Sequence, residues 1–172
     1  MKLDTERMKG FGAHKVDGHN VNYLFGLNDL CIDLLSTKSS VLELGCNDGV
    51  STSLFSKYAH KVTAVDINLT EDLNSLIKKS SNIRFEHLDI DLFFQDNTEK
   101  YDLIYIDGPH DYDSVKRHIH KSIENINEGG FICGHDYHSD FGVVQAVNDV
   151  LGNDNIKVYS DSSWAFITND HN

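Results

Sequence analysis

"VLELGCNDGVST", residues 41–52, decides how the rest of the chain is read. A short apolar run meets a turn with two glycines, and a helix start follows at once. Gly45 and Gly49 allow backbone angles that a side chain resists. Asn47 stands between them, and asparagine is one of the few residues that tolerate a left-handed conformation. Val50 and Ser51 then offer N–H groups that have no partner inside the helix. Strand, tight turn and helix in that order open a β-α-β unit. Such units build parallel sheets covered by helices on both faces.

The alternation continues outward from this stretch. "KVTAVD" (61–66) reads as a strand, Glu71 to Ser80 as a helix, and "IRFEHLD" (83–89) and "DLIYID" (102–107) as strands. Helical spacing returns at Tyr112, Val115, Ile119, Ile123 and Ile126, with Asp111 as N-cap and Gly129-Gly130 as the end of the unit. "FICGHD" (131–136) is a strand, and Gly142 to Leu151 is helical. "IKVYS" and "WAFIT", split by "DSS", form a closing antiparallel hairpin. Upstream, Asn20 is placed to cap a helix with Val21, Leu24, Leu27, Cys31, Leu34 and Leu35 on one face.

The expected fold is α/β, Rossmann-like: a seven-stranded, mostly parallel sheet with helices on both faces and a C-terminal antiparallel hairpin. One domain fills residues 1–172, with an N-terminal loop and helix over 1–36 and the core over 41–168. Ligands of such sheets lie beyond the carboxyl ends of the strands. Gly45, Asp66, Asp89, Asp107 and Asp136 therefore fall on one rim.

Fifteen Lys and Arg against 27 Asp and Glu give a formal charge of −12, which argues against nucleic acid as a partner. No apolar run reaches membrane-span length, so no membrane partner is expected. "MKLDTERMKGFG" lacks an apolar signal segment. Three distant cysteines, Cys31, Cys46 and Cys133, make neither a disulfide framework nor a cysteine zinc site. The expected setting is the cytoplasm. Association with further copies of the chain is left open.

A dinucleotide fingerprint would need glycine at 45, 47 and 50, but those positions hold Gly45, Asn47 and Val50. The acid-x-Gly-x-x-x-Gly spacing from Glu43 to Gly49 instead resembles motif I of class I S-adenosylmethionine-dependent methyltransferases. That resemblance implies that Glu43, Gly45, Asn47 and Gly49 form the loop around the methionine part of S-adenosylmethionine. A carboxylate at Asp66 can accept both hydroxyls of a ribose. Asp89 can accept from an adenine amino group, and Ile67 can lie against the ring. By the resemblance, Asp66 and Asp89 match the ribose-binding and adenine-side acids.

"IDGPHDY" (106–112) and "GGFICGHDY" (129–137) deliver a second set, Asp107, His110, His135 and Asp136. Adjacent strand ends are about 4.8 Å apart, so these groups can converge. Two oxygens and a nitrogen suit a divalent cation: magnesium or manganese on the carboxylates, or iron(II) with the histidine too. The segments resemble a small group of metal-assisted O-methyltransferases. The resemblance implies Asp107 and the His135-Asp136 pair as metal ligands, with Asp107 also beside the cofactor. His110, with a pKa near neutrality, is a candidate base, and without metal either His110 or Asp107 could serve as the catalytic base. Tyr112 belongs to the packing stripe.

The expected activity is methyl transfer from S-adenosylmethionine to an oxygen, less readily a nitrogen, of a small molecule or sugar. Two alternatives stand beside it. One is a metal-dependent oxygenase on the same fold, needing iron(II) and oxygen. The other is a catalytically silent S-adenosylmethionine-binding protein. "FGAHKVDGHNVNY" (11–23) reads as a loop that could fold over the pocket.

Overall fold

The computed structural model describes residues 24–138 and 142–167, and the backbone of 14–16 and 19–21. The elements in chain order are β1 (His14–Val16), β2 (His19–Val21), α1 (Leu24–Leu34), β3 (Ser40–Leu44), α2 (Val50–Tyr58), β4 (Lys61–Asp66) and α3 (Glu71–Lys79). They continue with β5 (Ile83–His87), α4 (Ile90–Asp96), β6 (Tyr101–Ile106), α5 (Tyr112–Asn125), β7 (Ile126–Gly134), α6 (Val143–Leu151), β8 (Ile156–Val158) and β9 (Trp164–Phe166). No helix among the described residues is long and apolar enough to cross a membrane.

Seven strands form one sheet in the order β5-β4-β3-β6-β7-β9-β8. The five from β5 to β7 are parallel, and β9 runs antiparallel to both β7 and β8. The chain lays β4 and β5 on one side of β3, then returns to place β6 on the other. The switch in direction thus falls between β3 and β6, where such sheets open a crevice.

Side-chain alternation explains why both faces carry helices. Leu42 and Leu44 of β3 and Ile104 and Ile106 of β6 enter one core, with Val115 and Ile119 of α5 and Val147 of α6. Val41, Leu103 and Tyr105 point the other way, into a core with Leu27 and Leu30 of α1 and Phe55 of α2. Strand residues face alternate sides with period two, so apolar residues at every position require cover on both.

Several elements differ from their sequence reading. Asn20 lies in β2, paired antiparallel with β1, and the helix begins only at Leu24. The 11–23 segment therefore holds two strands where a loop was expected. β5 stops at His87, and Asp89 caps the extra helix α4. Gly129-Gly130 does not end α5 but lies inside β7. There the register jumps from Tyr101↔Ile126 to Leu103↔Phe131, and Gly129 has φ 73°. On α5 the buried face is Val115, His118, Ile119 and Ser122, while Ile123 is exposed. The Ser122 hydroxyl satisfies itself by donating to the His118 carbonyl at 2.7 Å. A stripe read from apolar letters alone misses those two polar positions.

Candidate active site

The ladder of the sheet runs one step past the strand ends and fixes the rim. Gly45 N donates to the Val65 carbonyl (2.9 Å), Asp107 N to that of Leu44 (2.8 Å), and His135 N to that of Ile106 (3.1 Å). Gly45 has φ 90°, and a Cβ there would sit 2.3 Å from the Asp107 carbonyl oxygen. Glycine is thus required by the close approach of the β6 end as much as by any ligand. Asn47 adopts φ 43°, the left-handed state that asparagine tolerates.

Glu43 lies beneath the loop, fully buried, and both its oxygens accept hydroxyl bonds from Ser51 and Thr52 of α2. Burial pushes its carboxyl up to about 8, with the nearby Asp107 and Asp66 adding to the rise and the hydroxyl bonds opposing it. Its place is under the cradle, pinning helix to strand, and it lines neither cavity.

Two cavities of about 420 and 570 Å3 meet along Gly45, Asn47, Asp107 and Gly108. The smaller one is walled by Asp66, Ile67, Asp89 and Ile90. Asp66 accepts from Asn47 N through Oδ2 (2.9 Å) and from Asn68 N through Oδ1 (2.8 Å), so it ties the two loops together. Asp89 Oδ1 caps α4 by accepting from Asp91 N at 2.9 Å and Leu92 N at 3.3 Å. Ile67 is 63% exposed, an apolar side chain standing on the lip. Gly49 lies outside both walls; its own Cβ would meet Leu73 of α3 at 2.9 Å.

The larger cavity holds the carboxylate–histidine set. Asp136, with φ 59°, is its hub. His110 Nε2 lies 2.9 Å from Oδ2, and His135 Nδ1 and His138 Nε2 lie 3.2 and 3.5 Å from Oδ1. Burial raises the Asp107 carboxyl to about 7. Burial also works against the charge on Asp136, but its hydrogen bonds to His110 and His135 outweigh it and hold the acid well below its usual range. Burial would lower His135, yet the bond to Asp136 and the charges of Asp107 and Asp136 lift it to about 9. His110 is raised, chiefly by its bond to Asp136.

The side chains whose donor atoms all lie within 4.8 Å of one another are Asp107, His110 and Asp136. His135 lines the same cavity, with Nδ1 3.2 Å from Asp136 Oδ1. Two carboxylates and one imidazole remain a donor set that fits a divalent cation.

Sequence reading missed Asp161, on the turn between β8 and β9, which lines the larger cavity with Leu27 and Tyr105. It also missed the face of α5 and α4 that closes the smaller one: Ser114, Arg117, His118 and Asp91. "DSS" carries only a turn signal, and long-range packing alone brings it to the site.

A family model described as a methyltransferase domain matches residues 42–137, more than half of the chain. No curated protein sequence matches. Among solved structures, an rRNA methylase from Streptococcus thermophilus is 14% identical with TM-score 0.64, over 81% of this chain and 90% of that one. A methyltransferase from Streptococcus mutans in complex with SAH is 20% identical with TM-score 0.54, over 76% and 80%. An O-methyltransferase from Thermotoga maritima is 16% identical with TM-score 0.60, over 74% of this chain but 49% of that one. At such identities the structural likeness establishes the fold. The family match and the crevice at the β3–β6 switch point agree with it, and the chain belongs to the class I S-adenosylmethionine-dependent methyltransferases.

Proposed function

We propose that the protein transfers the methyl group of S-adenosylmethionine to a hydroxyl oxygen of a small molecule or sugar. The observation that carries this reading is the single crevice running from Asp66 and Asp89, through Gly45 and Asp107, to His110 and Asp136. Its first half suits a nucleoside. Asp66 takes the ribose hydroxyls, Asp89 faces the base, and Ile67 covers it. Its second half presents carboxylates and histidines, and no Lys or Arg is among the described residues lining it. That lining, with the net charge of −12, favours a small polar acceptor over a polyanion such as nucleic acid.

The bound cofactor supplies an electrophilic methyl group, and the chain's residues supply orientation. The loop from Gly45 to Gly49 sets the position of the sulfonium relative to the rim. Without a bound cation, His110 takes the acceptor proton, and the negative charge of Asp136, 2.9 Å from Nε2, stabilises the imidazolium. Asp107, His110 and Asp136 would hold a divalent cation, which when bound would lower the pKa of an acceptor hydroxyl. The same donor set would also take iron(II), so an oxygenase is the second reading. The two differ in product and in oxygen demand. Incubation with labelled S-adenosylmethionine and a library of hydroxylated small molecules should release S-adenosylhomocysteine equally with and without air. Turnover that needs oxygen and leaves the methyl donor intact would give the reaction to the oxygenase.

A further inference from the structure

The turn between β8 and β9 places on the wall of the larger cavity a carboxylate that the groups above leave unused. Asp161 is 9% exposed. Its Oδ2 accepts from Leu27 N of α1 at 2.6 Å, and its Oδ1 accepts from Ser163 N at 2.9 Å. The turn is held from two further sides. Tyr137 N donates to the Ser162 carbonyl at 3.0 Å, and the Tyr105 and Ser163 hydroxyls are 2.9 Å apart in the core. Ser162 is kept at φ 65°, a left-handed state uncommon for serine. Strained backbone that its surroundings over-determine clusters at ligand sites. Even Gly26 conforms to this turn, since a Cβ there would lie 2.1 Å from Asp161 Oδ1.

An ionised carboxylate has about four lone-pair sites, and two amides leave the others for a ligand. The remaining charged or titratable side chains on this wall are Asp48, Asp107, Asp136, His110 and His135, with the Cys46 thiol and Tyr105 phenol, both pushed up by burial and so uncharged. An anionic acceptor would meet four carboxylates there, Asp48, Asp107, Asp136 and Asp161, against two histidines that already bond to Asp136 and no lysine or arginine. A protonated amine pairs with a buried carboxylate through a charge-assisted hydrogen bond.

We propose that Asp161 is an acceptor-binding residue, and that the acceptor carries an ammonium group beside the hydroxyl to be methylated. The inference rests on the proposed reading in one respect: the cofactor takes the stretch around Gly45 and Asp107, and the acceptor takes the rest of the larger cavity.

The test uses the full chain in EDTA, first titrated with S-adenosylhomocysteine and then, saturated with it, screened by ligand-observed NMR. The probes are two matched triads, glucosamine, glucose and glucuronic acid, and tyramine, 4-hydroxybenzyl alcohol and 4-hydroxybenzoate. The amine of at least one triad should bind at least tenfold more tightly than its neutral and anionic partners. Asp161→Asn should erase that preference while leaving S-adenosylhomocysteine affinity unchanged. Equal or tighter binding by the carboxylates, no binding by either amine, or loss of cofactor affinity in Asp161→Asn overturns the proposal. The wild-type ranking decides even if the variant fails to fold. A wild-type chain that ignores S-adenosylhomocysteine overturns the cofactor reading and this one with it; a chain that binds it but not amines overturns only this one.

Discussion

At the scale of single residues, the strand-end acids do two jobs. Asp66 ties the Asn47 and Asn68 amides together before any ligand arrives, so it is pre-oriented toward the crevice. Asp66→Ala should weaken S-adenosylhomocysteine binding by about 1–3 kcal/mol, the scale of lost charged hydrogen bonds. Calorimetry measures it, and an unchanged affinity would remove Asp66 from the nucleoside site. Glu43 makes a different prediction. Its folded pKa of about 8 lies above the ordinary 4.5, so the folded state binds the proton more tightly than the unfolded state. Its contribution is complete below about pH 4.5 and is lost as pH rises through about 8. Glu43→Gln keeps the shape without the charge. The gap in melting temperature between wild type and variant should move in the variant's favour as pH rises across that window. A constant gap from pH 5 to 9 would mean that Glu43 does not titrate as its burial requires.

At the scale of elements, what was legible in the sequence depended on how local the cause was. The strands β3, β4 and β6 could be read because short, mainly apolar and β-branched runs between turn signals mark buried strands in an alternating chain. Gly45, Asp66 and Asp107 could be read because a parallel sheet delivers every strand end to the same edge. That His110 and His135 both bond to Asp136 was not legible, because packing sets the geometry of those turns. Asp161 was hidden for the same reason, 134 residues from its partner Leu27. That clamp is testable as a unit. Gly26→Ala pushes a methyl group into Asp161 and should destabilise the chain by about 1–3 kcal/mol, as overpacking does. Helix propensity alone would make the same change stabilising, so the sign of the shift in a chemical melt settles which effect wins. Helix α4 offers a second separation, since Asp89 both caps it and faces the crevice. Asparagine caps about as well as aspartate. Asp89→Asn should therefore spare stability, whereas Asp89→Ala should lower it by about 0.5–2 kcal/mol. Both should weaken cofactor binding if the carboxylate faces the adenine. An Asn variant that binds S-adenosylhomocysteine like wild type would leave Asp89 a cap only.

At the scale of the whole molecule, the switch in strand direction between β3 and β6 joins two chemistries that neither half of the sheet carries alone. The ends of β4 and β5 bring the polar edge of the proposed nucleoside pocket, while β6, β7 and the β8–β9 turn bring a dense set of ionisable groups. Those groups are coupled: Asp136 is stabilised as an anion by the histidines it raises. The coupling should appear in the pH dependence of turnover. A base works only when neutral, and the Asp136 contact lifts His110 above its ordinary 6.5. The rate should accordingly climb with pH through a midpoint above that value. Asp136→Asn removes the carboxylate that raises the imidazole, so the midpoint should move to lower pH while the plateau rate falls. If a cation holds Asp107, His110 and Asp136 during turnover, His110 is a ligand and cannot be the group that titrates. EDTA would then abolish activity, magnesium or manganese would restore it, and the acid limb would instead report competition between protons and metal. A midpoint that shifts with metal concentration assigns the site to the cation; one that ignores metal but moves with Asp136→Asn assigns it to His110 as base.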